Sequence, residues 1–281
     1  MSTKFSVITI CYNAADVLAA TIESVLSQDC PDYEYVIQDG NSSDETPKLV
    51  ASYQNRFEEK GIRLIYNREA DNGIYDAMNK AVASAKGDYI NFMNAGDCFY
   101  SADVLSKVAS AIEEKQAVIV FGDCAVYEYG RFYRFPKSLE NIERNMPFSH
   151  QSVFAAGDFM RSHPFNTKYR YSADYDLLLT AYDEGVKFLD ADTVICITTA
   201  DGLSSVRYHD TMMESSEILK NHGLEHRSED ELKRLERSLR IKQFVLDHFP
   251  VFVKKYIRGR QIEKRGQNIK VIVPKWFESM V

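Results

Sequence analysis

The chain has 281 residues, 45% of them hydrophobic, 27% charged and 12% aromatic. That excludes intrinsic disorder, a collagen-like repeat and a small disulfide scaffold, and a chain of this length can bury roughly 75% of its unfolded surface. The net charge of −7 excludes a nucleic-acid binder that works by neutralising phosphates along a groove.

In chain order, short β-rich runs alternate with helical periodicity through the first 125 residues. Phe5–Cys11 predicts a buried strand; Val17, Leu18, Ile22, Val25 and Leu26 then recur at helical spacing, and Tyr35–Gln38 is a second strand. A turn at Gly40–Ser43 leads into a helix entered by Asp44 with Pro47 in its first turn, then a strand at Arg63–Asn67. A loop (Glu69–Gly73), a helix (Ile74–Ala85), a strand (Asp88–Met93), a helix after Ser101 and a strand at Ala117–Phe121 repeat the pattern. This order predicts an α/β fold with a mostly parallel, Rossmann-like sheet flanked by helices, whose ligands sit at the carboxyl ends of the strands.

The rhythm changes near residue 122. Ala125–Tyr129 and Arg131–Phe135 predict a hairpin, Gln151–Ala155 a strand, Asp174–Glu184 a helix and Phe188–Thr198 a last strand, while residues 211–222 and 229–249 are amphipathic helices. The domains expected are 1–210, divided near 121 into a nucleotide-binding and an acceptor-binding half, and a helical basic extension over 211–281. Residues 241–281 carry nine Lys/Arg against three Asp/Glu, a net of +6 that leaves −13 for residues 1–240.

Cys11, Cys30, Cys98, Cys124 and Cys196 have no C-x-x-C spacing, so they read as reduced core thiols. The opening apolar run Phe5–Ile10 is too short for a signal-peptide core, and no run approaches the roughly 20 apolar residues that span a bilayer. A protein kept on the cytoplasmic side, at most resting on a membrane, is expected.

Polar residues gather where strands end: Cys11-Tyr12-Asn13, Gln38-Asp39-Gly40-Asn41-Ser42-Ser43-Asp44, Glu69-Ala70-Asp71-Asn72-Gly73 and Asn94-Ala95-Gly96-Asp97. Four successive exits on one side of an α/β sheet make a single site. No G-x-G-x-x-G follows the first strand and no P-loop lysine motif is present, so a nicotinamide or flavin enzyme and a P-loop NTPase are not indicated.

These segments, V-I-T-I-C-Y-N (Val7–Asn13), I-Q-D-G-N-S-S-D-E-T (Ile37–Thr46), E-A-D-N-G-I-Y-D-A-M-N-K-A (Glu69–Ala81) and G-D-Y-I-N-F-M-N-A-G-D (Gly87–Asp97), resemble the family 2 inverting glycosyltransferases of GT-A fold. With His150-Gln151 and A-D-Y-D-L (Ala173–Leu177), the likeness is to the bacterial branch that builds exopolysaccharide, capsule and O-antigen glycans, over about residues 4–205. The resemblance implies a UDP-sugar donor and a glycan or lipid-linked acceptor. Cys11, Tyr12 and Asn13 would border base and ribose, Asp39 would accept the uracil N3–H, and Asp71, Gly73, Asp76, Asn79, Lys80, Asn94, Ala95 and Gly96 would line ribose and diphosphate. Asp76, Asn79 and Lys80 share a helical face, so Lys80 either meets phosphate or pairs with Asp76 at i,i+4.

Asp97 matches the last carboxylate of the family's D-x-D-type motif, implying Mn²⁺ or Mg²⁺ on hard oxygen ligands. Asn94 and Gly96 stand where many relatives have aspartates. Asp174 aligns with the general base, its plain alternative being a helix cap. His150 and Gln151 are candidates to contact the acceptor or the donor sugar, and Tyr171 and Tyr175 the acceptor, with Arg207 toward phosphate and His209 toward the metal. The rival readings are a glycoside hydrolase using Asp97 and Asp174 and a catalytically weak nucleotide-sugar-binding relative. The basic tail, with Phe249, Phe252, Tyr256, Trp276 and Phe277, is a candidate peripheral membrane contact; its alternative is packing on the acidic domain.

Overall fold

The computed structural model describes residues 5–128, 131–135, 137–199, 207–248, 267–269 and 276–277. The first half alternates strand and helix: β1 (Phe5–Cys11), α1 (Ala15–Leu26), β2 (Tyr33–Asp39), α2 (Thr46–Glu59), β3 (Arg63–Arg68), α3 (Ile74–Ser84) and β4 (Tyr89–Phe92). β5 (Cys98–Phe99), α4 (Val104–Lys115), β6 (Ile119–Glu128), β7 (Arg131–Phe135), β8 (Val153–Ala156), α5 (Gly157–Ser162) and α6 (Ala173–Asp183) follow. The chain continues through β9 (Phe188–Thr199), α7 (Tyr208–Asn221), α8 (Glu229–His248) and β10 (Gln267–Ile269).

β3, β2, β1 and β4 lie side by side and parallel. Since the chain moves outward from β1 to β3 and then returns to β1's other side for β4, the strand order reverses between β1 and β4, where α/β sheets open a crevice at their carboxyl ends. Beyond β4 the sheet is mixed: β8 runs antiparallel to β4 and β6, β7 antiparallel to β6, β10 antiparallel to β7, and β9 parallel to β6. The parallel order therefore belongs to the first half, where helical crossovers impose it.

Alternation along β1 splits the core between the two sheet faces. Phe5 and Val7 join the helices α1, α2 and α4 through Leu18, Ile22, Val50, Phe57 and Val108, whereas Ile8 and Ile10 join α3, α5, α6 and α7 through Met78, Phe159, Leu178 and Ile218. Burying each such side chain contributes about 1.5–3 kcal/mol.

Several expectations are corrected. The strands read at 117–121 and 125–129 form the single strand β6, because Gly122 and Asp123 make an irregularity in its pairing with β9 rather than a break. A Cβ at Gly122 would lie 2.5 Å from the Thr193 carbonyl oxygen, so glycine is what lets the two strands approach there. Gln151 belongs to a 3-10 turn, His150–Ser152, and the strand begins at Val153. β5 and α5 are too short to show periodicity. The boundary expected after residue 210 falls inside the first turn of α7, whose Ile218 and Leu219 belong to the core shared with α6.

Of the tail aromatics, Phe249, Phe252 and Tyr256 lie outside the described residues. Phe277 is buried among Tyr127 and Phe132, and the Trp276 indole N–H donates to the Phe99 carbonyl at 3.4 Å, so these two pack on the sheet and are not interfacial anchors. All five cysteines are buried and none is in a disulfide. No helix among the described residues is long and apolar enough to cross a membrane.

Candidate functional site

Main-chain hydrogen bonds gather the four polar strand exits into one row. Glu69 N–H donates to Asp39 O (3.0 Å), Gly40 N–H to Cys11 O (2.9 Å) and Ala95 N–H to Ile10 O (3.2 Å). At Gly40 the absent side chain matters: a Cβ would stand 2.5 Å from Asp71 Oδ2 and 3.4 Å from Tyr12 Cδ2, so the carboxylate and the exposed phenol ring close over this glycine. Asp71 Oδ1 accepts the Gly73 N–H at 2.9 Å, and Gly73, at φ +119°, starts α3 from a conformation that disfavours other residues.

Asn13, at φ +46°, is held by the Ser42 hydroxyl on its N–H and by the Ser43 N–H on its Oδ1, both at 2.8 Å. Lys80 donates to the Ala70 carbonyl (2.7 Å) and pairs with Asp76 at 3.3 Å, so the i,i+4 ion pair is the arrangement present. Asp76 also accepts the Asn72 N–H, which together with Lys80 holds its carboxyl below the ordinary carboxylate value.

Three expected nucleotide contacts are differently employed. Asp39 is fully buried; Ser42 donates to its Oδ1 through N–H (2.8 Å) and hydroxyl (2.6 Å), and Tyr66 to its Oδ2 (2.5 Å). The carboxylate thus anchors the 40–44 turn to β3. Asn79 spends its amide on the Phe165 main chain, accepting from N–H at 2.8 Å and donating to O at 2.9 Å. The Cys11 thiol lies in the core, where burial, then the Asp39 charge, push it up to about 12.

Across the crevice, the turn after β4 meets the 3-10 turn before β8. The Asn94 amide donates to His150 Nε2 at 3.0 Å. A ring nitrogen that accepts carries no hydrogen, so the His150 proton is on Nδ1, which donates to Asp174 Oδ2 at 3.3 Å. Asp174 Oδ1 accepts from the Tyr75 hydroxyl and from the Tyr175 N–H, each at 3.0 Å. The adjacent Gln151 amide donates to Asp97 Oδ2 at 2.7 Å. Gly96, at φ +95°, turns the chain between Asn94 and Asp97 while its N–H donates to Thr21 Oγ1 at 3.0 Å.

Desolvation of the partly buried Asp97 carboxylate raises its pKa to about 6, against the opposing pull of the Gln151 donor. A divalent cation would find hard donors here: the Asp97 carboxylate and Asn94 Oδ1, which is buried with no hydrogen-bond partner among the described residues. No cluster of three or more His, Cys, Asp or Glu among the described residues could hold a metal unaided. The pair suits an ion whose remaining positions are filled by phosphate oxygens and water.

The loop that delivers Asp174 is clamped from α7. Glu214 accepts the main-chain N–H groups of Arg170 (2.8 Å), Tyr171 (2.7 Å) and Ser172 (3.0 Å), which fixes the entry into α6. Tyr171 stays half-buried beside the Arg170 guanidinium. Tyr175 is corrected: it is 1% exposed and its hydroxyl donates to the Ile142 carbonyl at 2.6 Å, a core role that leaves no platform for a sugar. His209 is bonded within α7 and to α8, through Asp210 (2.9 Å) and Gln243 (3.2 Å), with no hydrogen bond to Asp97 among those described, and Arg207 is exposed at the start of α7.

Sequence reasoning missed Tyr75, Tyr66 and Glu214. Tyr75 lies inside a recognised segment, but nothing in its spacing announces a bond to a residue 99 positions away. Glu214 carries no signal at all.

The family described as Glycosyl transferase family 2 matches residues 6–178. A "PGL/p-HBAD biosynthesis glycosyltransferase" of Mycobacterium bovis is 35% identical over 184 residues, which cover 63% of this chain and 69% of the relative. Among solved structures, S. aureus TarS 1-349 in complex with UDP-GlcNAc superposes with a TM-score of 0.61 at 17% identity, covering 98% of this chain and 79% of the TarS 1-349 chain. The mannosyltransferase PcManGT from Pyrobaculum calidifontis, in complex with GDP-Man and Mn2+, gives a TM-score of 0.63 at 17% identity, over 89% of this chain and 71% of that one.

Proposed function

The chain belongs to glycosyl transferase family 2 and is a glycosyltransferase of GT-A fold; from that premise we propose that it transfers a hexosyl or N-acetylhexosaminyl group from a UDP-sugar, with inversion, to a glycan or lipid-linked acceptor in surface polysaccharide synthesis on the cytoplasmic side. The observation that carries the reading is the Asp174 carboxylate, oriented by Tyr75 and His150 beside the Asn94–Asp97 turn. The donor class is supported by the complex of TarS with UDP-GlcNAc, and the process by the teichuronic acid biosynthesis named for a Bacillus subtilis relative 34% identical over 116 residues. The buried thiols support a reducing compartment.

In this reading Tyr12, Asn13 and the 69–73 loop closed over Gly40 border the nucleotide, while Gly73, Asp76, Ala95 and Gly96 shape the diphosphate side. Asp97 and Asn94 would hold Mn²⁺ or Mg²⁺, which as a Lewis acid would stabilise the charge of the leaving diphosphate. Asp174 Oδ2 takes the proton of the acceptor hydroxyl as that oxygen attacks the anomeric carbon; the bond to the diphosphate breaks and its electron pair leaves with UDP. Oδ1 is occupied by two donors, so Oδ2 is the oxygen with room for the proton. The Nδ1–H tautomer of His150 steadies the ionised base. Gln151 orients Asp97, and Tyr171 flanks the acceptor.

Asp174→Asn tests the role of the base: UDP binding by calorimetry stays within about twofold while transfer falls about 10²-fold or more. UDP with Mn²⁺ should stabilise the protein against heat more than GDP or dTDP does, and a variant with normal turnover removes Asp174 as base. For peripheral membrane contact the support is α8, where exposed Ile241 and Phe244 sit among Lys233, Arg237 and Arg240. Flotation with anionic vesicles that survives Ile241→Asp with Phe244→Asp would reject that face.

A further inference from the structure

Asp174 and the loop that starts α3 come from opposite halves of the chain, yet one side chain joins them. Tyr75 stands in the first turn of α3, two residues after Gly73 and next to Asp76. Its ring is 6% exposed and packs on Phe165 with centroids 5.3 Å apart. The same Phe165 is gripped through its main chain by Asn79, one turn further along α3. Helix, ring and hydroxyl therefore form one rigid body, and the hydroxyl donates to Asp174 Oδ1 at 3.0 Å.

We propose that Tyr75 is a positioning residue: its hydroxyl fixes the rotation of the Asp174 carboxylate and ties the geometry of the base to the donor-side loop, a role that rests on Asp174 being the base. Burial, and then the neighbouring Asp174 charge, raise the phenol well above the ordinary tyrosine range, so it remains the donor of this bond at any pH at which the enzyme works. Without the hydroxyl, among the described residues Oδ1 keeps the Tyr175 N–H and Oδ2 the long contact with His150. Two soft restraints leave the carboxylate free to turn about its Cβ–Cγ bond, and a misplacement of about 1 Å at a reacting group lowers turnover about 10²-fold. Because α3 begins at the donor loop, a donor that orders residues 69–73 also sets the base.

The test uses the full chain with Mn²⁺ and UDP release, water serving as acceptor, from a panel of UDP-glucose, UDP-galactose, UDP-N-acetylglucosamine, UDP-N-acetylgalactosamine and UDP-glucuronic acid. With the fastest donor, Tyr75→Phe should lower kcat about ten- to a hundredfold and leave donor KM and UDP affinity within about twofold. Tyr33→Phe deletes a hydroxyl as deeply buried, one bonded to the Val25 carbonyl away from the site, and supplies the structural baseline: a lower melting temperature with kcat within about twofold. Tyr75→Phe with near-normal kcat, or with a loss equalled by Tyr33→Phe, overturns the positioning role while Asp174→Asn remains inactive. If Asp174→Asn turns over normally, or no donor turns over, the base reading itself falls and the inference with it.

Discussion

The carboxylate beside the candidate metal position should weaken the very protein that needs it. Asp97 has a pKa of about 6 in the folded chain against 3.8 for the ordinary side chain, because burial disfavours its charge. Between these values the folded state binds more protons than the unfolded one, so stability falls as pH rises through the window. Below about pH 4 both states are protonated and there is no penalty; above about pH 6 it is complete. At about 1.4 kcal/mol per unit the difference amounts to at most about 3 kcal/mol, reduced because Asp97 keeps part of its surface in solvent. Asp97→Asn preserves the acceptor for the Gln151 amide and cannot ionise. In chelator, urea denaturation should find D97N more stable than the native sequence by 1–3 kcal/mol, to order of magnitude, near pH 7.5 and nearly equal near pH 4. With UDP and Mn²⁺ the ranking should invert: the native protein gains about 2.7 kcal/mol at a hundredfold excess over Kd and the variant gains almost nothing. A D97N effect that is the same at both pH values refutes the burial argument.

Two further outcomes follow from the packing. Asn79→Ala leaves both polar groups of the Phe165 main chain without their partner, so urea denaturation should show a loss of about 1–3 kcal/mol, while UDP affinity measured by calorimetry stays near normal; a selective loss of UDP affinity would restore Asn79 to the nucleotide site. Gly87→Ala places a Cβ against the Ser6 nitrogen and 2.6 Å from the Phe5 carbonyl carbon, main-chain atoms of a central strand that cannot yield cheaply. A loss of about 1–3 kcal/mol or more is expected, read as a lower denaturation midpoint, and an unchanged midpoint would contradict the close approach of residue 87 to β1.

The alternation of strands and helices over residues 5–115, the strand ends that carry Tyr12, Asp71 and Asp97, and the helix bearing Asp174 were all legible in the residues, because each depends on short-range periodicity or turn chemistry. What a polar residue at a strand end does was not legible. Asp39, Asn79 and Tyr175 have the same chemical credentials as Asp71, Asn94 and Tyr171, and only the packing decides that the first three turn inward to the 40–44 turn, the Phe165 main chain and the Ile142 carbonyl. β6 read as two strands because Gly122 looks like a stop until β9 is seen beside it.

By itself the sequence determined the fold class, the family and the side of the sheet on which chemistry occurs, since those follow from patterns within a few dozen residues. The tertiary structure alone decided which partners each carboxylate has: Asp174 with Tyr75 and His150, and Asp97 with Gln151. The reason is physical: a hydrogen bond is settled by atoms about 3 Å apart, and residues 99 positions distant reach that separation only after both faces of the sheet have been buried.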